Sequence, residues 1–460
     1  MSGASHEANS AALDELRRQC GLLIAQAKSS GGEVAARYNA LLTQFLAQGG
    51  PKDDAVVLIG ESLYDFWVEG GRNDRSRQGP HEDEPIDGSV EVPFDFLEAF
   101  MKDTFVALGV PEREAAISAG VLIDADKKGI DSHGVGRLKS IYADRILKGI
   151  MHPYKPILIV KETETTALLD GQMGLGLYIG RHCMELAIQK AKKHGVGFVA
   201  VKNSTHYGIA GYYSQMAVDA GCVGFTGTNA RPSISPTFGV KPCLGTNPLC
   251  FGIPTDEAFP FNIDCATSIN QRGKIEKYAR LGMPTPKGMV IDVDGKERTD
   301  TDGILVDMVK GLASLAPVGG VGDAMGGYKG YGWAVTVELL STAFQGGPIG
   351  DDLCGVDRAT GKPAPMPLGH YFLAIDVEAL VDLGTFKANA GKLLRYLRET
   401  PKDPRGPGRI WTAGEFEHDV RVKRGAAGGT IVPPVLLNEM RELRDKLPGL
   451  KEKYARMVFE

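Results

Sequence analysis

Between Asp131 and Arg137 the chain reads Asp131-Ser132-His133-Gly134-Val135-Gly136-Arg137, so a hydroxyl, an imidazole and a guanidinium stand within one short stretch interleaved with two glycines. An imidazole can take and return a proton near neutral pH, and a guanidinium grips a carboxylate with two parallel hydrogen bonds. His133 beside Arg137 therefore suits proton abstraction from a substrate that carries a carboxylate. A histidine that only closes a helix end has the same spacing, and both readings stand at this point.

The elements around this stretch must position it. From Val92 to Lys128 the residues Phe96, Leu97, Phe100, Ala115, Ala119, Leu122 and Ile123 fall at helical spacing, which places the turn at the end of a helix. Leu138, Ile141, Tyr142, Ile146 and Leu147 then resume the period, bringing Tyr142 within about a turn and a half of Arg137.

A second candidate acid/base is His206, in Asn203-Ser204-Thr205-His206-Tyr207-Gly208. This segment follows a strand predicted over Val196 to Val201 and precedes a helix through Tyr212, Tyr213 and Met216. Loops converge at strand ends in α/β sheets, and helix N-termini there offer free N–H groups. His182, His194 and His418 lack such polar company and read as structural.

A strand over Thr165 to Asp170, a glycine-rich turn from Gly171 to Gly176 and a helix from Tyr178 to Lys193 complete a βαβ pattern. A Rossmann reading is disfavoured, because Gly174, Gly176 and Gly180 give G-x-G-x-x-x-G and the second strand ends in Lys202-Asn203, not in a ribose-binding acid. The segment from Thr228 to Pro248 is rich in glycine and proline and reads as the wall of a cleft. Within it Arg231 and Lys241 sit beside Pro232 and Pro242, and these two cations point to a second anionic group on the substrate.

Asp264 closes an apolar strand over Phe261 to Asp264, where a carboxylate is costly to bury unless it pairs, and orienting an imidazole is one use for it. Gly326 to Gly332, with Tyr328 and Lys329, opens a helix from Trp333 to Phe344 and suits an anion at a helix N-terminus. It is not a P-loop, since Gly330 follows Lys329 where a hydroxyl residue is needed. Ile410 to Glu415 forms a further turn, and a helix from Pro434 to Leu447 ends the fold.

With 460 residues, 43% of them hydrophobic, the chain can bury a large core. A net charge of -5 argues against nucleic-acid binding, and a polar start with no long apolar run argues against a signal peptide or membrane span. The seven cysteines form no CxxC pair, which favours reduced thiols in a cytoplasm over disulfides or a metal site. Helical spacing around Leu13, Leu41 and Leu63 predicts a helical extension over 1–70, followed by an exposed linker over 71–90. The remainder divides into a helical substrate-side segment (91–160), a cofactor-binding α/β domain (161–345) and a C-terminal segment completing the fold (346–460).

In order and spacing, the stretches Asp131 to Arg137, Ser204 to Gly208, Gly245 to Pro248, Asp264 to Ser268, Tyr328 to Gly332 and Ala413 to Glu415 resemble the malate/L-lactate dehydrogenase family. The resemblance runs from about Val92 to the C-terminus and leaves residues 1–90 outside. It implies an α/β, mixed-sheet, non-Rossmann dinucleotide-binding fold and an NAD- or NADP-dependent oxidoreductase that interconverts a 2-hydroxy acid and a 2-oxo acid. Malate/oxaloacetate is the first expectation, with lactate, sulfolactate, ureidoglycolate, diketogulonate and cyclic imines as alternatives and a non-catalytic scaffold as a distant one. A homodimer with its active site between subunits is also implied.

Residue by residue, Ser132, His133, Arg137 and Tyr142 match the substrate-side motif and His206 the second histidine. Asp264, Cys265 and Ala266, Tyr328 and Lys329, and Ala413, Gly414 and Glu415 match cofactor-side motifs. Ala230 departs from members with a hydroxyl residue there. His133 is the favoured proton-transfer residue with Asp264 as its orienter, and His206 is the alternative base or the group that polarises the oxygen.

Overall fold

The computed structural model describes residues 82, 85–280, 283–357, 360–404 and 406–460. The chain splits into two compact units, Met1–His81 with Pro401–Arg409, and Glu82–Thr400 with Ile410–Glu460. The helices expected over 1–70 and most of the 71–90 linker lie outside the described residues. What is described of that linker is not all free: the Glu82 carboxylate accepts hydrogen bonds from Lys423 Nζ at 2.6 Å and Arg424 Nε at 2.8 Å, and Val90 already begins a strand.

The second unit opens with β1 (Val90–Pro93), α1 (Phe94–Ala107) and α2 (Glu112–Lys127). The helical spacing holds, since Leu97, Phe100, Ala115, Ala119, Leu122 and Ile123 are all buried. It runs through two helices, however, not one. Gly109 adopts a φ of +91° and Pro111 stands just before α2, so the backbone cannot continue as a helix between them. The Asp131–Arg137 segment ends in a tight turn at Val135–Arg137 and is followed by one wide π-helical stretch at Leu138–Ala143 and the short α3 (Asp144–Leu147).

Next follow β2 (Leu158–Glu162), β3 (Thr166–Asp170), α4 (Gly176–His194), β4 (Val196–Ser204), α5 (Ala210–Asp219), β5 (Cys222–Thr228), β6 (Leu249–Ile253) and β7 (Phe261–Cys265). A smaller lobe holds α6 (Arg272–Arg280), β8 (Val290–Asp292), α7 (Thr301–Lys310) and β9 (Ala313–Leu315) around buried Ile234, Ile275, Ile304 and Leu315. The chain returns through α8 (Gly327–Thr342), β10 (Leu368–Asp376) and α9 (Leu383–Glu399), then α10 (Glu415–Ala427), β11 (Gly429–Val432), α11 (Pro434–Lys446) and α12 (Leu450–Lys453).

The main sheet has seven strands in the order β2-β3-β4-β10-β5-β6-β7. Only β3 and β4 run parallel, as the βαβ reading requires, and every other neighbouring pair is antiparallel. That makes the sheet mixed and non-Rossmann. A separate ribbon pairs β1 with β11 from Val90↔Val432 to Pro93↔Gly429, which holds the first helices against the C-terminal ones. Among the described residues, no helix is long and apolar enough to cross a membrane.

The glycine turn before α4 has a structural purpose. Thr205 Oγ1 accepts the Gly176 N–H at 2.9 Å and donates to the Gly174 carbonyl at 2.9 Å, so the end of β4 caps the helix N-terminus. That terminus is closed to a phosphate. A Cβ on Gly176 would lie 2.1 Å from the Thr205 carbonyl oxygen. Gly176→Ala is therefore expected to lose more than about 2 kcal/mol, seen as a lower Tm, whereas Gly425→Ala on the open side of α10 should gain about 0.5–1 kcal/mol. Equal Tm values for the two variants would contradict this packing.

Candidate active site

The Asp131–Arg137 turn hangs between α2 and α10. Gly129 takes a φ of +74° and ends α2, and His133 N donates to the Ile130 carbonyl at 2.9 Å. Two carboxylates then fix the turn. Asp126 Oδ2 accepts the Val135 N–H at 2.9 Å, and Asp131 receives both terminal nitrogens of Arg424, at 2.6 and 2.8 Å. Arg424 Nη1 also reaches the Asp126 carbonyl at 2.6 Å. Only glycine fits at 134, because a Cβ there would lie 1.8 Å from Asp126 Oδ1. Burial pushes the Asp126 carboxyl up to about 8, with the Asp131 charge adding to the rise and the Val135 N–H and Arg424 opposing it.

Sequence reasoning missed Asp126 and Arg424. A hint existed in the first: Asp126 continues the apolar stripe of Leu122 and Ile123, where a charged residue is out of place unless it is paired.

His133 and His206 are brought together although one sits in the turn and the other beyond β4. Their rings stack with centroids 5.8 Å apart and planes 22° apart. His133 Nδ1 is hydrogen-bonded to Ser132 Oγ at 2.8 Å, so Ser132 orients it. His206 Nδ1 is 2.7 Å from the Tyr142 hydroxyl and receives the Gly208 N–H at 3.2 Å. A ring nitrogen that accepts an N–H carries a lone pair, so in neutral His206 the proton resides on Nε2. His206 is a hydrogen-bond donor toward the space it faces. His133 is free of that constraint, since the Ser132 hydroxyl can accept as well as donate, and its Nε2 can be a base.

Both imidazoles are held neutral. Burial lowers His133 to about 4, helped by the Arg137 charge, and His206 lies well below its ordinary value through burial, then His133, Arg137, Arg145 and His370. Tyr142, expected from sequence on the substrate side, is wholly buried, its ring edge-on to Phe105 and to His206.

Two expectations are corrected. Asp264 bonds neither histidine; its Oδ2 accepts the Gly211 N–H at 2.7 Å at the start of α5. The protein around that carboxyl raises it to about 6 even though the residue keeps a solvent-facing side, with the α5 N–H groups and Lys128 opposing the rise. Lys241 turns away to an ion pair with Asp351, far along the chain, and is not a free cation for substrate. Arg137 gives only its Nε to the Ser132 carbonyl, leaving the terminal fork without a partner among the described residues. Arg231 is exposed and close enough to Arg145 for their charges to repel.

His370, overlooked because Leu368–Asp376 reads as an ordinary buried strand, holds the His206 segment from behind. Its Nε2 bonds Ser204 Oγ at 2.8 Å and the Thr205 carbonyl at 3.1 Å, its Nδ1 bonds Thr228 Oγ1 at 2.6 Å, and its ring stacks on Tyr207 at 4.5 Å.

Of the candidate cofactor residues, Tyr328 and Lys329 are exposed, Cys265, Ala266, Ala413 and Gly414 half-buried. Tyr328 and Lys329 lie in the first turn of α8, with Lys329 Nζ 5.7 Å from the Tyr328 ring and no carboxylate on it among the described residues. A free charge at the N-terminus of a sixteen-residue helix fits a pyrophosphate. Cys265 ends β7, Ala266 follows it, and Ala413 joins that strand by accepting the Asn262 N–H at 3.2 Å. Gly414 takes a φ of +90° before α10. Glu415 is buried, and its Oε2 accepts Thr412 N and Oγ1 at 3.0 Å each, so its carboxylate braces the turn.

Asp126 gives this site a testable pH dependence. Its folded pKa lies above the unfolded value, so its contribution is fully present below about pH 4 and is lost as pH rises toward 8. Asp126→Asn keeps an acceptor for the Val135 N–H and removes the ionisation. The difference in Tm, variant minus wild type, should grow steadily between pH 5 and pH 8. A difference that is flat or falls over that range would contradict the buried, neutral carboxyl.

The family model described as malate/L-lactate dehydrogenase matches residues 92–441. The malate dehydrogenase of Pyrococcus abyssi is 40% identical over 365 residues, 79% of this chain and 96% of that protein. The L-sulfolactate dehydrogenase of Methanocaldococcus jannaschii is 36% identical over 345 residues, 75% of this chain and 94% of that one. The crystal structure of malate dehydrogenase from Entamoeba histolytica superimposes with a TM-score of 0.75 at 42% identity, covering 80% of this chain and 99% of its own. With the match spanning the turn, both histidines and the α8 terminus, the chain belongs to the malate/L-lactate dehydrogenase family.

Proposed function

We propose that the protein oxidises malate, or a 2-hydroxy acid of the same dianionic kind, to the 2-oxo acid and runs the reverse reduction. The observation that carries this reading is the stacked pair of neutral imidazoles beside the unpaired fork of Arg137. Similarity to chains named malate dehydrogenase supports the choice of malate.

Arg137 holds the C1 carboxylate through its two terminal nitrogens. The C2 hydroxyl then lies between the two rings. His133 Nε2 takes the hydroxyl proton, while His206 Nε2–H donates to the same oxygen and stabilises the charge that develops there. Tyr142 and Ser132 keep the two rings in these different roles. A nicotinamide cofactor, when bound, accepts the hydride from C2 and returns it in reduction. Lys329 and the α8 terminus would hold its pyrophosphate, and the β7 end with the Ala413–Gly414 turn would flank it. Because His133 sits near 4 in the free protein, the base form is fully populated at pH 6–8. Burial is the larger cause of that lowering; a substrate carboxylate on Arg137 offsets the smaller part that comes from the Arg137 charge and so favours the protonated ring.

The test separates the two rings. His133→Ala should lose about 10²–10⁴-fold in kcat for oxidation. His206→Gln, whose amide can still donate to the substrate oxygen, should lose only about tenfold. Wild-type turnover in His133→Ala, or a larger loss in His206→Gln, would contradict the assignment.

A homodimer is part of this reading. The edge strand β2 exposes Leu158, Ile159 and Val160, between 48% and 59% each, an apolar row that an isolated sheet edge is usually built to avoid. Light scattering in solution should give twice the chain mass, and a monomer at micromolar concentration would contradict it.

A further inference from the structure

The charges of Arg137 and Arg145 both reach the Tyr142–His206 pair, and that of Arg231 reaches Arg145; the sequence had offered only Arg137 and Arg231. Arg137 is in the turn and Arg231 lies in the Gly/Pro-rich loop after β5. The third is Arg145, in α3, three residues beyond Tyr142 and so on the same side of the chain. Tyr142 is fixed by its hydrogen bond to His206, which ties Arg145's position to the imidazole pair.

Arg145 is half-buried, and among the described residues no carboxylate pairs with it. Its neighbour Asp144 is taken by Lys139 at 3.3 Å. Burial lowers its pKa and the charges of Arg231 and Arg137 lower it further, while the Tyr142 hydroxyl acts the other way. Elsewhere in the second unit buried and half-buried arginines are matched by acids, as buried Arg424 is by Asp131 and Glu82, and half-buried Arg398 by Glu257. A cluster of like charges left uncompensated costs stability, and an anionic ligand removes that cost.

We infer that Arg145, with Arg231, binds the distal anionic group of the substrate, a carboxylate or sulfonate one carbon beyond C2, while Arg137 holds C1. This inference rests on the dianionic substrate proposed above and names Arg145 as the residue that reads it. Lys241, the cation expected from sequence for this task, is occupied by Asp351. Arg145 is a specificity residue in this assignment, because pyruvate and lactate have no group for it to hold.

The measurement is kcat/KM for oxaloacetate and for pyruvate in wild type, Arg145→Leu, Arg145→Gln and Arg145→Lys. Wild type should favour oxaloacetate, and the ratio of the two efficiencies should fall about 10- to 150-fold in Arg145→Leu and Arg145→Gln, the worth of a charge-assisted contact. Arg145→Lys keeps the charge and should keep most of the ratio. The Gln and Lys variants carry the test if the Leu variant does not fold. A wild type that uses both oxo acids equally well overturns the dianionic substrate itself. A wild type that favours oxaloacetate, with the ratio unchanged in Leu or Gln, overturns only the role of Arg145.

Discussion

The bidentate contact between Arg424 and Asp131 is the constraint on which the site depends. It joins α10, near the end of the chain, to the turn that carries Ser132, His133 and Arg137. Arg424 is almost wholly buried and reaches the Asp126 carbonyl and the Glu82 carboxylate as well. Asp131 keeps about half of its side chain in water, so the pair is buried on the Arg424 side only; removing Arg424 would strip both Asp131 and Glu82 of their shared cation. The cost of assembling the pair is met by the β1–β11 ribbon and the core beneath α1 and α2, which bring the two ends of the second unit together. A turn built largely of small and polar residues, with little apolar area of its own, is thus held by charge where packing cannot hold it.

The other half of the site is built differently. His206 lies beyond a buried strand, and its segment is fixed by neutral hydrogen bonds: Thr205 to the glycine turn, His370 to Ser204 and Thr205, and Tyr142 to the ring. Stacked rings of the same type, with different partners on Nδ1, acquire different roles. One can take a proton and the other can only give a hydrogen bond. Two bases at that separation would compete for one proton, whereas a base and a donor can divide the work, which is the division proposed for His133 and His206.

Much of this was legible in the sequence because it is local. The apolar stripe of α1 and α2, the βαβ unit and the two histidine motifs all follow from spacing within a few turns or strands. The break at Gly109 to Pro111 was also written there, but a stripe that resumes in phase after it conceals the interruption. What stayed hidden depends on distant partners. Lys241 looks free until Asp351 arrives from more than a hundred residues away, and Asp264 looks like an orienter until the start of α5 takes its carboxylate. Arg145 reads as the polar face of a short helix, and His370 as one residue of an alternating strand. Their partners, or the lack of them, exist only in three dimensions.

The central claim is that the turn brings Arg137 and the two imidazoles to one substrate, Arg137 at its C1 carboxylate and the imidazoles at its C2 hydroxyl. A crystal structure of the protein with oxidised nicotinamide cofactor and tartronate, a hydroxy diacid close in shape to malate, tests it most directly. The account predicts one carboxylate on the Arg137 fork and the hydroxyl within hydrogen-bond distance of Nε2 of both His133 and His206. A hydroxyl that touches neither ring, or a diacid held away from Arg137, would contradict it.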